Sequence, residues 1–188
     1  MSKAKAQAEE EKNITIDTKM QYKGRNISLR IDTLKHKDRA PSIWEIVEHP
    51  GAVVILPIDN EGRIVFVQQF RRAIGKILLE LPAGALDPHE TPAICAQREL
   101  QEETGFKAQR LHSLNGIYST PGFCTEYLHI FLGEDLIESK LPHDDNEAID
   151  VCHITLDKAL KMIDSHEISD SKTIASLFLY LRWKEKNL

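Results

Sequence analysis

The chain has 188 residues, 41% of them hydrophobic, which suits one α/β domain with a proper core. A formal net charge of -5 argues against a reader of nucleic-acid backbones, which needs a basic face, and favours a small substrate. Cys95, Cys124 and Cys152 lack CxxC spacing, so neither a disulfide framework nor a cysteine zinc site is indicated, and a reducing cytoplasm fits.

Residues 1–12 are charged, without apolar periodicity, and read as a flexible tail or short exposed helix. They lack the apolar core of a secretion signal, and no later run approaches the ~20 apolar residues of a membrane span. A cytoplasmic protein without membrane contact is expected. Residues 13–50 form a β-rich extension, with strand-like runs through Ile27, Leu29 and Ile31 and through Ile43-Trp44-Glu45-Ile46-Val47. Residues 53–58 and 64–70 are apolar and β-branched, joined by Asp59-Asn60-Glu61-Gly62, which predicts a hairpin in the main sheet.

A short strand over 78–81 ends at Pro82-Ala83-Gly84. The next helix has legible ends: Thr91 as cap, Pro92 at the first position and Gly105 as the left-handed stop predict residues 92–104. Strand-like runs follow at 111–118, 127–132 and 148–154, then helices over 156–164 and 170–186. The last carries an apolar stripe through Ile174, Leu177, Phe178 and Leu181. Strands interleaved with helices give an α/β fold with a mixed sheet covered on both sides.

The chemistry concentrates in the helix over 92–104. At 3.6 residues per turn, Glu102 and Glu103 fall about 60° to one side and about 40° to the other of Glu99, so three carboxylates share one exposed face. Locally this is unfavourable: like charges at i,i+4 cost ~0.2–0.5 kcal/mol and anions near a helix C-terminus lose ~0.3–1 kcal/mol. A hard divalent cation would compensate, since Mg2+ takes oxygen ligands and bridges them to phosphate. For a bare cluster of this kind, a solvated acidic face with Arg98 as internal ion-pair partner is the more usual reading.

The surroundings separate the two readings. Gly84, Glu90, Arg98-Glu99, Glu102-Glu103 and Gly105 at these spacings match every fixed position of the 23-residue box of Nudix hydrolases, so the chain resembles that family. The resemblance implies an α/β/α sandwich in which carboxylates present metal to a diphosphate while water attacks phosphorus. It implies Glu99 and Glu103 as principal ligands of Mg2+, or alternatively Mn2+, with Glu102 assisting and the Ala83 carbonyl contributing. Arg98 would orient the glutamates, Glu90 would brace the loop and Gly84 would permit close backbone approach. Cys95, where the family usually has a small residue, reads as packing.

Flanking motifs resemble the ADP-ribose pyrophosphatase subfamily: Trp44-Glu45, Glu48-His49-Pro50-Gly51-Ala52, Gln68-Gln69-Phe70-Arg71, Glu80-Leu81-Pro82-Ala83-Gly84 and Ser119-Thr120-Pro121-Gly122-Phe123. This implies residues 13–50 as a dimerisation and substrate-contact extension, residues 51–188 as the hydrolase domain, and a homodimer. Trp44 would stack on adenine, the alternative being an edge-strand Trp packed in the core or interface. Arg71 would hold the diphosphate or terminal ribose, the alternative being a surface salt bridge. Glu147, in the acidic loop 143–147, would be the catalytic base and Glu126 a further substrate-side carboxylate. The implied reaction converts ADP-ribose and water to AMP and ribose 5-phosphate. Alternatives are another nucleotide sugar, such as ADP-glucose or GDP-mannose, and a non-catalytic ADP-ribose sensor, which would have no need of all these glutamates.

Overall fold

The computed structural model describes residues 1–142 and 148–187. They fall into two units, the first formed by Met1–Pro50 and Thr120–Glu126, the second by the remainder.

In the first unit, helix α1 (Lys3–Lys12) buries no residue, and its N-terminus is capped by Ser2, whose hydroxyl accepts from the Lys5 N–H. Strands β1 (Thr15–Lys23), β2 (Ser28–Lys35) and β3 (Ser42–Glu48) form an antiparallel meander in that order. Residues 120–126 group with this unit by their contacts. The Val47 N–H donates to Phe123 O at 2.8 Å and the Thr125 N–H to Val47 O at 3.0 Å, a parallel bridge onto β3.

The second unit holds β4 (Ala52–Pro57), β5 (Ile64–Arg71), β6 (Lys76–Glu80), β7 (Ala83–Ala85), α2 (Pro92–Thr104), β8 (Phe106–Tyr118), β9 (Tyr127–Glu138), β10 (Ile149–Ile154), α3 (Leu156–Asp164) and α4 (Ser171–Asn187). One sheet has the order β7-β4-β9-β8, with β4 parallel to β9; the other is antiparallel, β10-β5-β6. The predicted hairpin is thus corrected: Ile58, just past β4, makes one isolated bridge to Ile64, and β4 and β5 join different sheets. The reason is burial. Every residue of β4 is buried, and a continuously apolar strand belongs in a sheet interior with neighbours on both edges.

Alternate residues of β4 serve the two faces. Val53 and Ile55 pack in a cluster with Cys95, Ala96 and Leu100 of α2, whereas Val54 and Leu56 pack with Ala159 of α3 and Leu177 and Tyr180 of α4. Each fully buried aliphatic side chain contributes about 1.5–3 kcal/mol, so this one strand ties both helical layers to the sheet. On α4 the buried side runs through Thr173, Ser176, Leu177 and Tyr180, and Phe178 is exposed. The predicted stripe is therefore rotated. The i, i+3, i+4, i+7 face includes two small polar residues, which a search for apolar residues passes over.

Helix α2 matches its predicted limits. Thr91 Oγ1 accepts from the Ile94 N–H at 3.4 Å, Pro92 occupies the first turn, and Gly105 takes φ 77° while its N–H donates to Gln101 O. Gln97 clamps the helix to β8 through Nε2 to Ala108 O at 2.6 Å and the Ala108 N–H to Oε1 at 3.2 Å. A Cβ at Gly105 would meet only ordinary contacts with Lys140, so backbone conformation alone sets the cost of substitution. Gly105→Ala should lower stability by about 1–2 kcal/mol, the cost of a left-handed non-glycine residue, read as a fall in denaturant midpoint at unchanged slope.

Candidate active site

The site is built where β7 meets α2. Ala83, Gly84 and Ala85 pair with Val54, Val53 and Ala52 of β4, and Pro82 O accepts from the Ile55 N–H at 2.9 Å, so this short segment is held by the most buried strand of the unit. Helix α2 lies so close that a Cβ on Gly84 would fall on the Glu99 carboxyl group. Glycine is required here for approach, not for a turn. One helical turn on, Glu103 Oε2 accepts from the Ala83 N–H at 3.0 Å. Glu103 is only 9% exposed, which corrects the reading of the acidic face as wholly solvated.

Arg98 holds the remaining acids. Its Nη1 donates to Glu99 Oε1 at 2.6 Å and to Glu102 Oε2 at 3.0 Å, while Nε and Nη2 grip the two oxygens of Glu90 at 3.0 and 2.8 Å. Nη2 also reaches Ala85 O at 3.2 Å, and Glu90 accepts from the Asp87 N–H. The Arg98 hydrogen bond, outweighing burial and aided by that backbone N–H, holds the Glu90 acid down to about 2. The same pairing raises Arg98 above its usual range. Cys95 is fully buried, as its packing role requires, and burial pushes its thiol up out of the reactive range.

Among the described residues, no three acidic, His or Cys side chains are already gathered as a metal cage. The donor chemistry nevertheless fits a hard divalent cation. Glu99, Glu102, Glu103 and the Ala83 carbonyl offer only oxygen. A cleft of about 140 Å³ opens beside Glu102 and Glu103, bordered by Gly105, Lys140, Ile149 and Val151.

Arg71, at the end of β5, feels the negative field of Glu103 and makes a two-pronged contact with Glu80: Nε to Oε1 at 2.9 Å and Nη2 to Oε2 at 2.6 Å. Glu80 is 1% exposed and shares Oε2 with Lys172. Burial would raise this acid, but Arg71 and Lys172 outweigh it and hold it low. Reading the sequence placed Glu80 in a flanking motif without a role and missed Lys172 altogether. Arg72 is exposed, with its guanidinium 5.9 Å from the Phe70 ring centroid.

Two predicted residues belong to the first unit. Trp44, 45% exposed on β3, lines a cavity of about 340 Å³ with Arg30, Asp32, Ile46 and residues 121–125. Glu126 lies with its Oε1 3.6 Å from His49 Nε2. Glu147 lies outside the described residues.

Residues 48–177 match the NUDIX domain, and the chain belongs to the Nudix hydrolase family. The ADP-ribose pyrophosphatase of Bacillus subtilis (strain 168) is 40% identical over 173 residues, covering 91% of this chain and 93% of that protein. The methanol dehydrogenase activator of Bacillus methanolicus is 38% identical over the same length, with the same coverage. A solved structure described as an ADP compounds hydrolase superposes with a TM-score of 0.81 at 22% identity, covering 93% of this chain and 96% of that one, a likeness of fold.

The Glu90–Arg98 pair makes a pH-dependent contribution to stability. Because the folded-state acid is depressed, the contribution is complete above its ordinary value of 4.5 and is lost as pH falls through about 2. The melting temperature of the wild type should exceed that of Glu90→Gln at pH 6, and the gap should narrow steadily below pH 4.5; a gap independent of pH would contradict the ionic assignment.

Proposed function

We propose that this protein hydrolyses ADP-ribose to AMP and ribose 5-phosphate, with Mg2+ as its metal and Mn2+ as the alternative. The observation that carries the reading is the junction of β7 and α2, where Gly84 admits the Glu99 carboxylate and Arg98 gathers Glu90, Glu99 and Glu102. ADP-ribose is chosen because similarity to an ADP-ribose pyrophosphatase extends over 91% of the chain, well beyond the catalytic box.

Each residue then has a task. Glu99, Glu103 and Glu102, with the Ala83 carbonyl, hold the metal, which when bound polarises phosphate oxygens and makes water a better nucleophile. Arg98 keeps Glu99 and Glu102 oriented, and the Ala83 N–H does the same for Glu103. Arg71, preset by Glu80, presents a planar donor fork to the diphosphate. Trp44 offers a half-exposed indole face to adenine, Glu126 contacts substrate, and Glu147 accepts the proton of the attacking water.

A homodimer is supported by Ile16 and Met20, exposed on one face of β1 in the first unit. A cytoplasmic setting is supported by the three free cysteines.

The test is product formation from ADP-ribose, ADP-glucose, GDP-mannose, diadenosine polyphosphates and nucleoside triphosphates, with Mg2+ and with chelator. Metal-dependent AMP release chiefly from ADP-ribose is expected; preference for another compound would move the specificity, and tight binding without turnover would make the protein a sensor. Glu103→Gln keeps an acceptor for the Ala83 N–H but removes the charge, so kcat should fall by ~10²-fold or more with the melting curve preserved. Unchanged kcat at saturating Mg2+ would refute the assignment. Trp44→Ala should raise KM for ADP-ribose roughly tenfold, within the ~1–3 kcal/mol that base stacking contributes, with a smaller effect on kcat.

A further inference from the structure

Arg71 is held by a partner that is itself held from the far end of the chain. Glu80, 1% exposed, takes the Nε and Nη2 donors of Arg71 on its two oxygens, and Lys172 in the first turn of α4 donates to Oε2. Lys172 also donates to Asp170 Oδ2 at 3.0 Å. That oxygen accepts from the Thr173 N–H at 3.0 Å and hydroxyl at 2.6 Å, and Thr173 Oγ1 in turn accepts from the Leu81 N–H at 2.9 Å. The first turn of α4 is thereby bonded to Glu80 and Leu81, the residues immediately preceding the segment that carries Ala83 and Gly84.

The charges are arranged unequally. Asp170 accepts from the Thr173 N–H and hydroxyl at the N-terminus of α4, which answer much of its charge. Glu80 is consequently shared by two cations and answers Arg71 only in part, while Glu103 and Asp170 act on Arg71 through the field alone. Its guanidinium has five N–H donors, of which Glu80 engages two groups, and its side chain is 38% exposed. A lysine in the first turn of a helix stands against the helix dipole, and a local rule broken beside a functional group asks for a compensating role.

We propose that Lys172 is a positioning residue for diphosphate binding: by taking a share of buried Glu80, it holds Arg71 in one orientation and leaves that guanidinium positive toward a phosphate oxygen. This rests on the reading of Arg71 as the diphosphate-holding residue. Without Lys172, Glu80 would be answered by Arg71 alone, and the fork would be both less constrained and more fully neutralised.

The experiment compares wild type, Lys172→Met and Lys172→Arg, with Lys172→Gln in place of the Met variant should that one not fold. Affinity for inorganic pyrophosphate in Mg2+ is measured by calorimetry, alongside KM, kcat and melting temperature. The neutral variant should bind pyrophosphate about tenfold more weakly and show a parallel rise in KM for ADP-ribose, with kcat within about threefold of wild type. Lys172→Arg should restore binding to within about threefold, because it returns the charge. Unchanged pyrophosphate affinity in the neutral variant, even with a lowered melting temperature, would overturn the proposal, as would failure of the wild type to bind pyrophosphate or of arginine to rescue. If pyrophosphate binding weakens as expected while the wild type leaves ADP-ribose intact, the substrate reading fails and the role of Lys172 stands.

Discussion

The arrangement depends first on one guanidinium. Glu90 in the loop before α2 and Glu99 and Glu102 on the helix would repel one another, and Arg98 converts that repulsion into order by contacting all three. Lysine could not substitute, since the task needs donors fanned over a plane in several directions at once. The bond from Arg98 to Glu90 and Ala85 O also ties the loop to the helix, so the same side chain that balances charge sets the distance between β7 and α2. The donors gathered there are all oxygen, a set that suits a hard divalent ion.

What carries this geometry is the strand behind it. β4 is apolar on both faces, and pairing with β7 on one edge and β9 on the other makes it the common wall of both hydrophobic clusters. Glu103, taking the Ala83 N–H, is therefore anchored to backbone that cannot shift without disturbing both layers. A carboxylate held this way loses little freedom when it takes up a ligand.

Legibility in the sequence followed range. The limits of α2 are written locally, in Thr91, Pro92 and Gly105, and the acidic spacing needs only helical periodicity. The separation of β4 from β5 was not legible, because a short apolar run beside a tight turn looks the same whether the strands pair or part; only the partners β7 and β9 decide. Glu103 was read as exposed because helical spacing does not show that the Ala83 backbone lies above it. The polar members of the buried face of α4 were hidden by their polarity. Lys172 meets Glu80 across 92 residues of chain, and no local pattern announces such an encounter.

The insertion of residues 120–126 into the edge of β3 bears on how such a protein can be divided or inherited. The polypeptide leaves the second unit after Ser119, contributes a turn with one bridge residue, Cys124, to the first, and returns at Tyr127. The units are thus not beads on a string. A cut at residue 50 would strip Phe123, Cys124 and Thr125 of the backbone they pair with, and an exchange of the N-terminal unit between related proteins would carry two junctions, one far from the other in sequence. Recombination respecting only the first junction would join the sheet of the first unit to a segment that came from a different protein.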